Sequence, residues 1–157
     1  MRGTGSHDVV IEDVCVPQTT VAMRRPAGEW VAGFQLMQMM ALPLVLGCYL
    51  GAGMRDQAIS MAAKCADNPG LIDIVGELDT DLNCARVTHS DMVQAATTQD
   101  PSAEALNRIF MARTIVGAAF LRVAGRAMEA AGGSAFYRAA GLERLFRDIQ
   151  GVRYHKA

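Results

Sequence analysis

Apolar side chains recur at helical spacing through most of this chain, and one short stretch near the start breaks that rule. Residues 9–16, V-V-I-E-D-V-C-V, are rich in β-branched side chains and stop at Pro17, a pattern that predicts a strand. A lone strand has no neighbour for its backbone hydrogen bonds. Its partner strands are therefore expected in an oligomer or outside this chain. Residues 17–29, with Pro17, Arg24, Arg25, Pro26 and Gly28, read as a connector.

From Trp30 to about Ala66 the pattern is helical, in two pieces divided near Pro43. The second piece carries Met54, Ala58, Met61 and Ala62 along one stripe, and Asp67-Asn68-Pro69-Gly70 stops it. A helix from about Leu71 to Ala96 follows, with Leu71, Val75, Leu78, Leu82 and Ala85 on one face. Asp100 is a good N-cap, Pro101 suits a first helical position, and Glu104 favours the positive helix end. The helix they open runs to about Ala131, with Leu106, Ile109, Phe110, Ile115, Val116, Phe120, Val123, Ala127 and Met128 in register. Gly132-Gly133 ends it. A last helix is expected over about Leu142 to Tyr154, burying Leu142, Leu145, Phe146 and Ile149. The prediction is an all-α fold, a helical bundle preceded by one strand.

Length and composition narrow this further. A chain of 157 residues supports one domain with a sizeable core. It is 51% hydrophobic but only 6% aromatic, so its apolar bulk comes from Ala, Leu, Val, Ile and Met, which suits packed helices. A net charge of −1 without a basic stripe argues against a nucleic-acid surface. Residues 31–54 carry no charged side chain, long enough to span a bilayer. Gln35, Gln38, Pro43, Gly47, Gly51 and Gly53 in that run, with no basic flanks, favour a buried core helix and no membrane partner. Cys15, Cys48, Cys65 and Cys84 form no C-x-x-C pair, and with His7, His89 and His155 they show no zinc spacing. Reduced, mostly buried thiols in a cytoplasmic protein are expected.

Chemistry-bearing patterns are few. Gly3-Thr4-Gly5-Ser6 begins like a dinucleotide fingerprint, but Asp8 takes the third glycine position and the strand follows it, so a Rossmann site is rejected. Nothing in the spacing specifies a hydrolase triad. Glu143 and Arg147 stand four apart in the favourable helical order, and Arg144 with Asp148 makes a reversed pair. Both pairs read first as a solvated face. The Gly132-Gly133 pair permits close backbone approach to a ligand as well as a helix stop. His155 is by default an exposed histidine, and its functional reading is proton transfer near neutral pH.

The order of residues adds a resemblance. Residues 129–148, E-A-A-G-G-S-A-F-Y-R-A-A-G-L-E-R-L-F-R-D, resemble the signature near the end of acyl-CoA dehydrogenases, a glycine pair followed by an "E-R-x-x-R-D" helix. Residues 2–17, R-G-T-G-S-H-D-V-V-I-E-D-V-C-V-P, look like that family's last β-domain strand entering its C-terminal helices. Leu46-Gly47, with Ala58 beyond it, suits the family's first bundle helix. The resemblance implies an end of a β-domain over 1–17, a connector over 18–29, and over 30–157 a four-helix up-and-down bundle. It further implies a flavoenzyme, with FAD or FMN shared between subunits and not retained by this piece alone. Gly132, Gly133 and Ser134 would contact that flavin, the bundle would assemble a dimer or tetramer, and Arg147-Asp148 would fasten the last helix.

Departures from the family pattern qualify the expected activity. The slot of the C-terminal catalytic Glu, counted from Arg147-Asp148, holds Lys156, which is cationic at neutral pH and cannot remove an α-proton. Cys65-Ala66-Asp67-Asn68-Pro69 stands where a flavin-binding "R-x-x-F-G" belongs, and Glu129 where a Gln often meets flavin. These differences are similar to those of the flavin-dependent monooxygenase branch, in which a histidine near the tail assists proton transfer. His155 takes that catalytic role by match, with His7 a less well placed candidate. Substrates implied are acyl thioesters or other small molecules. The alternative reading is a non-catalytic helical oligomerisation module that has lost flavin.

Overall fold

The computed structural model describes residues 10–21, 24, 26–29, 31, 39–43, 46, 54–63 and 67–154. Its helices are α1 (Met54–Ala62), α2 (Pro69–Thr98), α3 (Ala103–Ala131) and α4 (Leu142–Ile149), with helical residues also at 39–43 and 46. Short 3-10 segments cover Gln18–Thr20, Gly132–Phe136, Arg138–Ala140 and Gln150–Arg153. The described chain is all-α, as the periodicity predicts.

The two long helices are opened by side chains that replace missing backbone partners. Asn68 caps α2 by accepting from the Gly70 amide at 3.0 Å, and Pro69 takes the first turn, where no amide partner is needed. The segment read as a stop therefore also starts the next helix, two residues earlier than expected. Ser102, rather than Asp100, caps α3 and accepts from the Ala105 amide at 3.1 Å. Pro101 lies outside the helix as a result.

α2 and α3 run antiparallel as a hairpin tied by ion pairs at successive levels: Glu77 and Asp81 with Arg126, Asp81 with Arg122, and Asp91 with Arg108. The inner face of α3 buries residues from Ala105 to Ala131 along its whole length. Two apolar clusters meet on it. One joins Ile109, Val116 and Phe120 with Met92 of α2, Met39, Leu46 and Val152. The other joins Val123, Ala127 and Met128 with Leu78 of α2, Met54 and Ala58 of α1, and Leu142 and Ile149 of α4. His89 of α2 bonds through Nε2 to the Pro43 carbonyl at 2.8 Å, tying the preceding helical segment to the hairpin.

The expected strand is not formed among the described residues. Val10, Ile11, Val14 and Val16 are all more than 60% exposed, and Asp13 sits at a positive φ of 51° that interrupts an extended run. Residue pattern alone favours extension, but ladder bonds need a second strand. Residues 18–21 then turn on the Pro17 carbonyl, which accepts from the Thr20 amide at 3.0 Å and its hydroxyl at 2.7 Å. The last helix is also shorter than expected: α4 stops at Ile149 and continues as a 3-10 turn. Cys15 is exposed and Cys84 half-buried, both free, against the expectation of buried thiols. No described helix is long and apolar enough to cross a membrane, and the uncharged run at 31–54 lies mostly outside the described residues.

α4 is held by two kinds of contact with different strengths. Leu142 and Ile149 are buried, and Gln57 of α1 donates from Nε2 to the Ala140 carbonyl just before the helix. Leu142→Ala is expected to cost about 2–5 kcal/mol through lost burial and a residual cavity. Gln57→Ala is expected to cost about 1 kcal/mol for one hydrogen bond. Urea unfolding of both variants measures the ratio.

Candidate functional site

The corner after α3 is built from a sequence of turns with little regular helix between them. Gly132 ends α3 with φ 61° and ψ −152°, a conformation open to glycine, and its amide donates to the Glu129 carbonyl. The Ser134 hydroxyl donates to the Ala131 carbonyl at 2.6 Å, which fastens the turn to the helix end. Ala135 is fully buried beside Leu142 in the second cluster and anchors the corner from below. Gly141, at φ 75°, then turns the chain into α4.

What this corner offers outward is bare backbone and aromatic surface. Gly132, Gly133 and Ser134 are exposed, and a Cβ placed on either glycine would meet nothing within 4 Å. Phe136 and Tyr137 follow at 70% and 72% exposure. A flat ring could rest against such a shelf without displacing a side chain, so these residues fit the edge of a planar cofactor. They enclose nothing: no described charged or polar residue is buried, so the corner lacks a desolvated acid or base among the described residues.

The other predicted residues are distributed as follows. His155, Lys156, His7 and Cys65 lie outside the described residues. Glu129 is exposed, and its backbone carbonyl is the acceptor for Gly132. Arg147 does not fasten α4 to the bundle. It bonds Glu143 of the same helix at 2.9 Å and stays 66% exposed, so the i,i+4 reading holds and the fastening falls to Leu142, Ile149 and Gln57. Among the described residues the reversed Arg144–Asp148 pair does not close.

Three features were not anticipated from the sequence. A shallow groove near the start of α2 is lined by Ile72, Asp73, Gly76, Glu77, Thr80, Asp81 and Arg126. Arg113 on α3 keeps its Nε buried without a hydrogen-bond partner. Arg55 of α1 forks onto Asp79 of α2, with Nη2 donating at 3.0 Å, and also reaches Asp56 at 2.9 Å. The hydrogen bonds from Arg55 hold the Asp79 carboxyl below its usual range, and those to Asp79 and Asp56 push the Arg55 guanidinium up. Only the antiparallel register of α2 and α3, once known, makes the acid–Arg spacing of the hairpin readable.

Residues 51–157 match the family model described as "Acyl-CoA dehydrogenase, C-terminal domain". The chain belongs to that family. Its glycine corner, α4 and the three longer helices all fall inside the matched span. A curated relative from Bacillus subtilis (strain 168), named "Putative acyl-CoA dehydrogenase YdbM", is 26% identical over 163 residues. That match covers 96% of this chain and 41% of the relative, so the chain spans about two-fifths of that relative's length.

The Arg55–Asp79 fork gives this domain a measurable acid dependence. The Asp79 carboxyl is depressed in the folded state, so its contribution is present above the unfolded carboxylate pKa and fades as pH falls through the lower folded value. Both partners are partly exposed, which limits the pair to about 0.5–1 kcal/mol. Asp79→Asn is therefore expected to lower stability by that amount at pH 7. In denaturant titrations the gap between wild type and variant should narrow as pH falls below the ordinary carboxylate range and Asp79 takes up its proton.

Proposed function

We propose that this chain is the C-terminal four-helix bundle of a flavin-dependent oxidoreductase, contributing an assembly surface and part of a FAD or FMN site. One observation carries the reading: the open Gly132-Gly133 shelf at the end of α3, inside the family match. In this reading Gly132, Gly133 and Ser134 lie against the flavin edge through their backbone. Most of the cofactor is gripped by a neighbouring subunit and by an upstream β-domain, of which residues 1–17 are the end and 18–29 the connector. Bound flavin would supply the two-electron acceptor that no side chain of this domain provides. The substrate is an acyl thioester or another small molecule, the setting is the cytoplasm, and the assembly is a homo-oligomer.

Lys156 in place of the carboxylate, with His155 beside it, favours monooxygenase-type chemistry over α,β-dehydrogenation. His155 then moves a proton at the substrate or flavin. A second reading, a helical module that assembles but has lost flavin, draws support from Cys65 and Glu129 at expected cofactor contacts.

Gly133 gives the clean test, because its φ is not in the left-handed region and an added Cβ meets open space. In protein carrying both this bundle and its β-domain, Gly133→Val should leave the thermal midpoint unchanged and weaken flavin binding about tenfold or more, roughly 1.4 kcal/mol. Fluorescence titration with FAD reads the change. Unaltered flavin affinity would refute the shelf as a cofactor contact, and wild-type protein that never binds flavin would favour the non-catalytic module.

A further inference from the structure

We infer that Arg113 anchors a carboxylate-binding site whose ligand is a small organic acid. Arginine keeps its charge at any working pH and holds its donors in a planar fork. The edge formed by Nε–H and one Nη–H matches the two oxygens of a carboxylate. This chain uses that edge repeatedly. Arg55 sets its Nε on Asp79, Arg122 on Asp81 at 2.8 Å, and Arg126 on Glu77 at 2.7 Å. Arg147 does the same with Glu143 at 2.9 Å and Arg108 with Asp91 at 3.2 Å. Arg113 is half-buried, and its Nε is shielded from water without an acceptor among the described residues.

The surrounding chain supplies no acid at this level. Arg113 stands on α3 between Ile109 and Val116, both fully buried in the cluster shared with Met39, Leu46 and Val152. Residues 39–46, 82–90, 105–128 and 149–154 contain no Asp or Glu. Asp91 and Asp81, which bracket this level on α2, are held by Arg108 and Arg122. A buried donor without an acceptor lowers stability, and an apolar side chain of similar length would remove that cost. A carboxylate arriving from outside supplies the missing acceptor.

The setting selects the class of ligand. Ile109, Val116, Phe110 and Leu42 are apolar, which suits a monoanion with a hydrocarbon body and penalises a doubly charged phosphate. One turn along α3, a Cβ on Gly117 would stand 3.6 Å from Val152, so the tail crosses the helix next to this level. His155 follows Val152 by three residues. Calling the acid the substrate rests on the oxidoreductase reading above; the site itself does not.

Thermal unfolding of wild type, Arg113→Met and Arg113→Lys in acetate, benzoate, inorganic phosphate or chloride at equal ionic strength tests this. Saturating acetate or benzoate should raise the wild-type midpoint about 3 °C or more above its value in chloride. Arg113→Met should not respond, and Arg113→Lys, which lacks the planar edge, should bind about tenfold more weakly or worse. In chloride, Arg113→Met should hold or raise the midpoint. In nitrogen–proton correlation spectra, the Nε–H signal that Arg113→Met removes should move with benzoate and stay in place with chloride. Three results would each overturn the site: a wild type indifferent to both carboxylates, a response to phosphate instead, or a lowered midpoint for Arg113→Met in chloride. No flavin enters the measurement, so failure here leaves the cofactor reading standing. A protein that binds benzoate through Arg113 but never binds flavin would keep the site and remove its role in oxidation.

Discussion

Small side chains let the two longest helices approach closely, and a row of Arg–acid pairs fixes how far each slides along the other. Ala85 and Ala95 on α2 and Ala112 and Ala119 on α3 are buried in a shared cluster, where larger residues would hold the helix axes apart. Glu77, Asp81 and Asp91 meet Arg126, Arg122 and Arg108 in antiparallel order. Exposed pairs of this kind add little stability singly. Their effect is on alignment, since Asp91–Arg108 near one end and the Glu77, Asp81, Arg122 and Arg126 group near the other hold the same antiparallel order. With register set, α3 presents one continuous buried face, and the remaining elements pack along it: residues 39–46 and Val152 on one half, α1 and α4 on the other.

Much of this was legible because the strongest signals are local. The 3.6-residue spacing of Leu78, Leu82 and Ala85, and of Ile109, Val116, Phe120 and Val123, identifies the faces that are in fact buried. Boundaries were less legible where several capping residues compete. Asp100 and Ser102 are both good caps, and the side chain that reaches an amide depends on backbone angles that composition does not carry. The strand over 9–16 shows the opposite limit. Its β-branched pattern is real, but a strand is a property of a pair, and the described residues supply no second member.

The glycine corner was legible as a helix stop and as a family motif, and the structure adds how it is held. Ser134, named from the motif as a ligand contact, gives its hydroxyl proton to the Ala131 carbonyl. Arg147, named from the motif as a fastener, spends its charge on Glu143 in its own helix. Motif order identifies which residues matter; it does not state which neighbour each one bonds. The partner of α4 proved to be Gln57, 83 positions away, and no local pattern signals that contact.

Placement ties the corner to the hairpin. Gly132 begins where α3 ends, so the position of the glycine shelf is inherited from the register that the hairpin pairs set. The shelf itself encloses nothing, because its two glycines and two aromatic rings are all exposed on one side of the corner. In this domain the placement of the glycine corner is therefore a consequence of one helix pair.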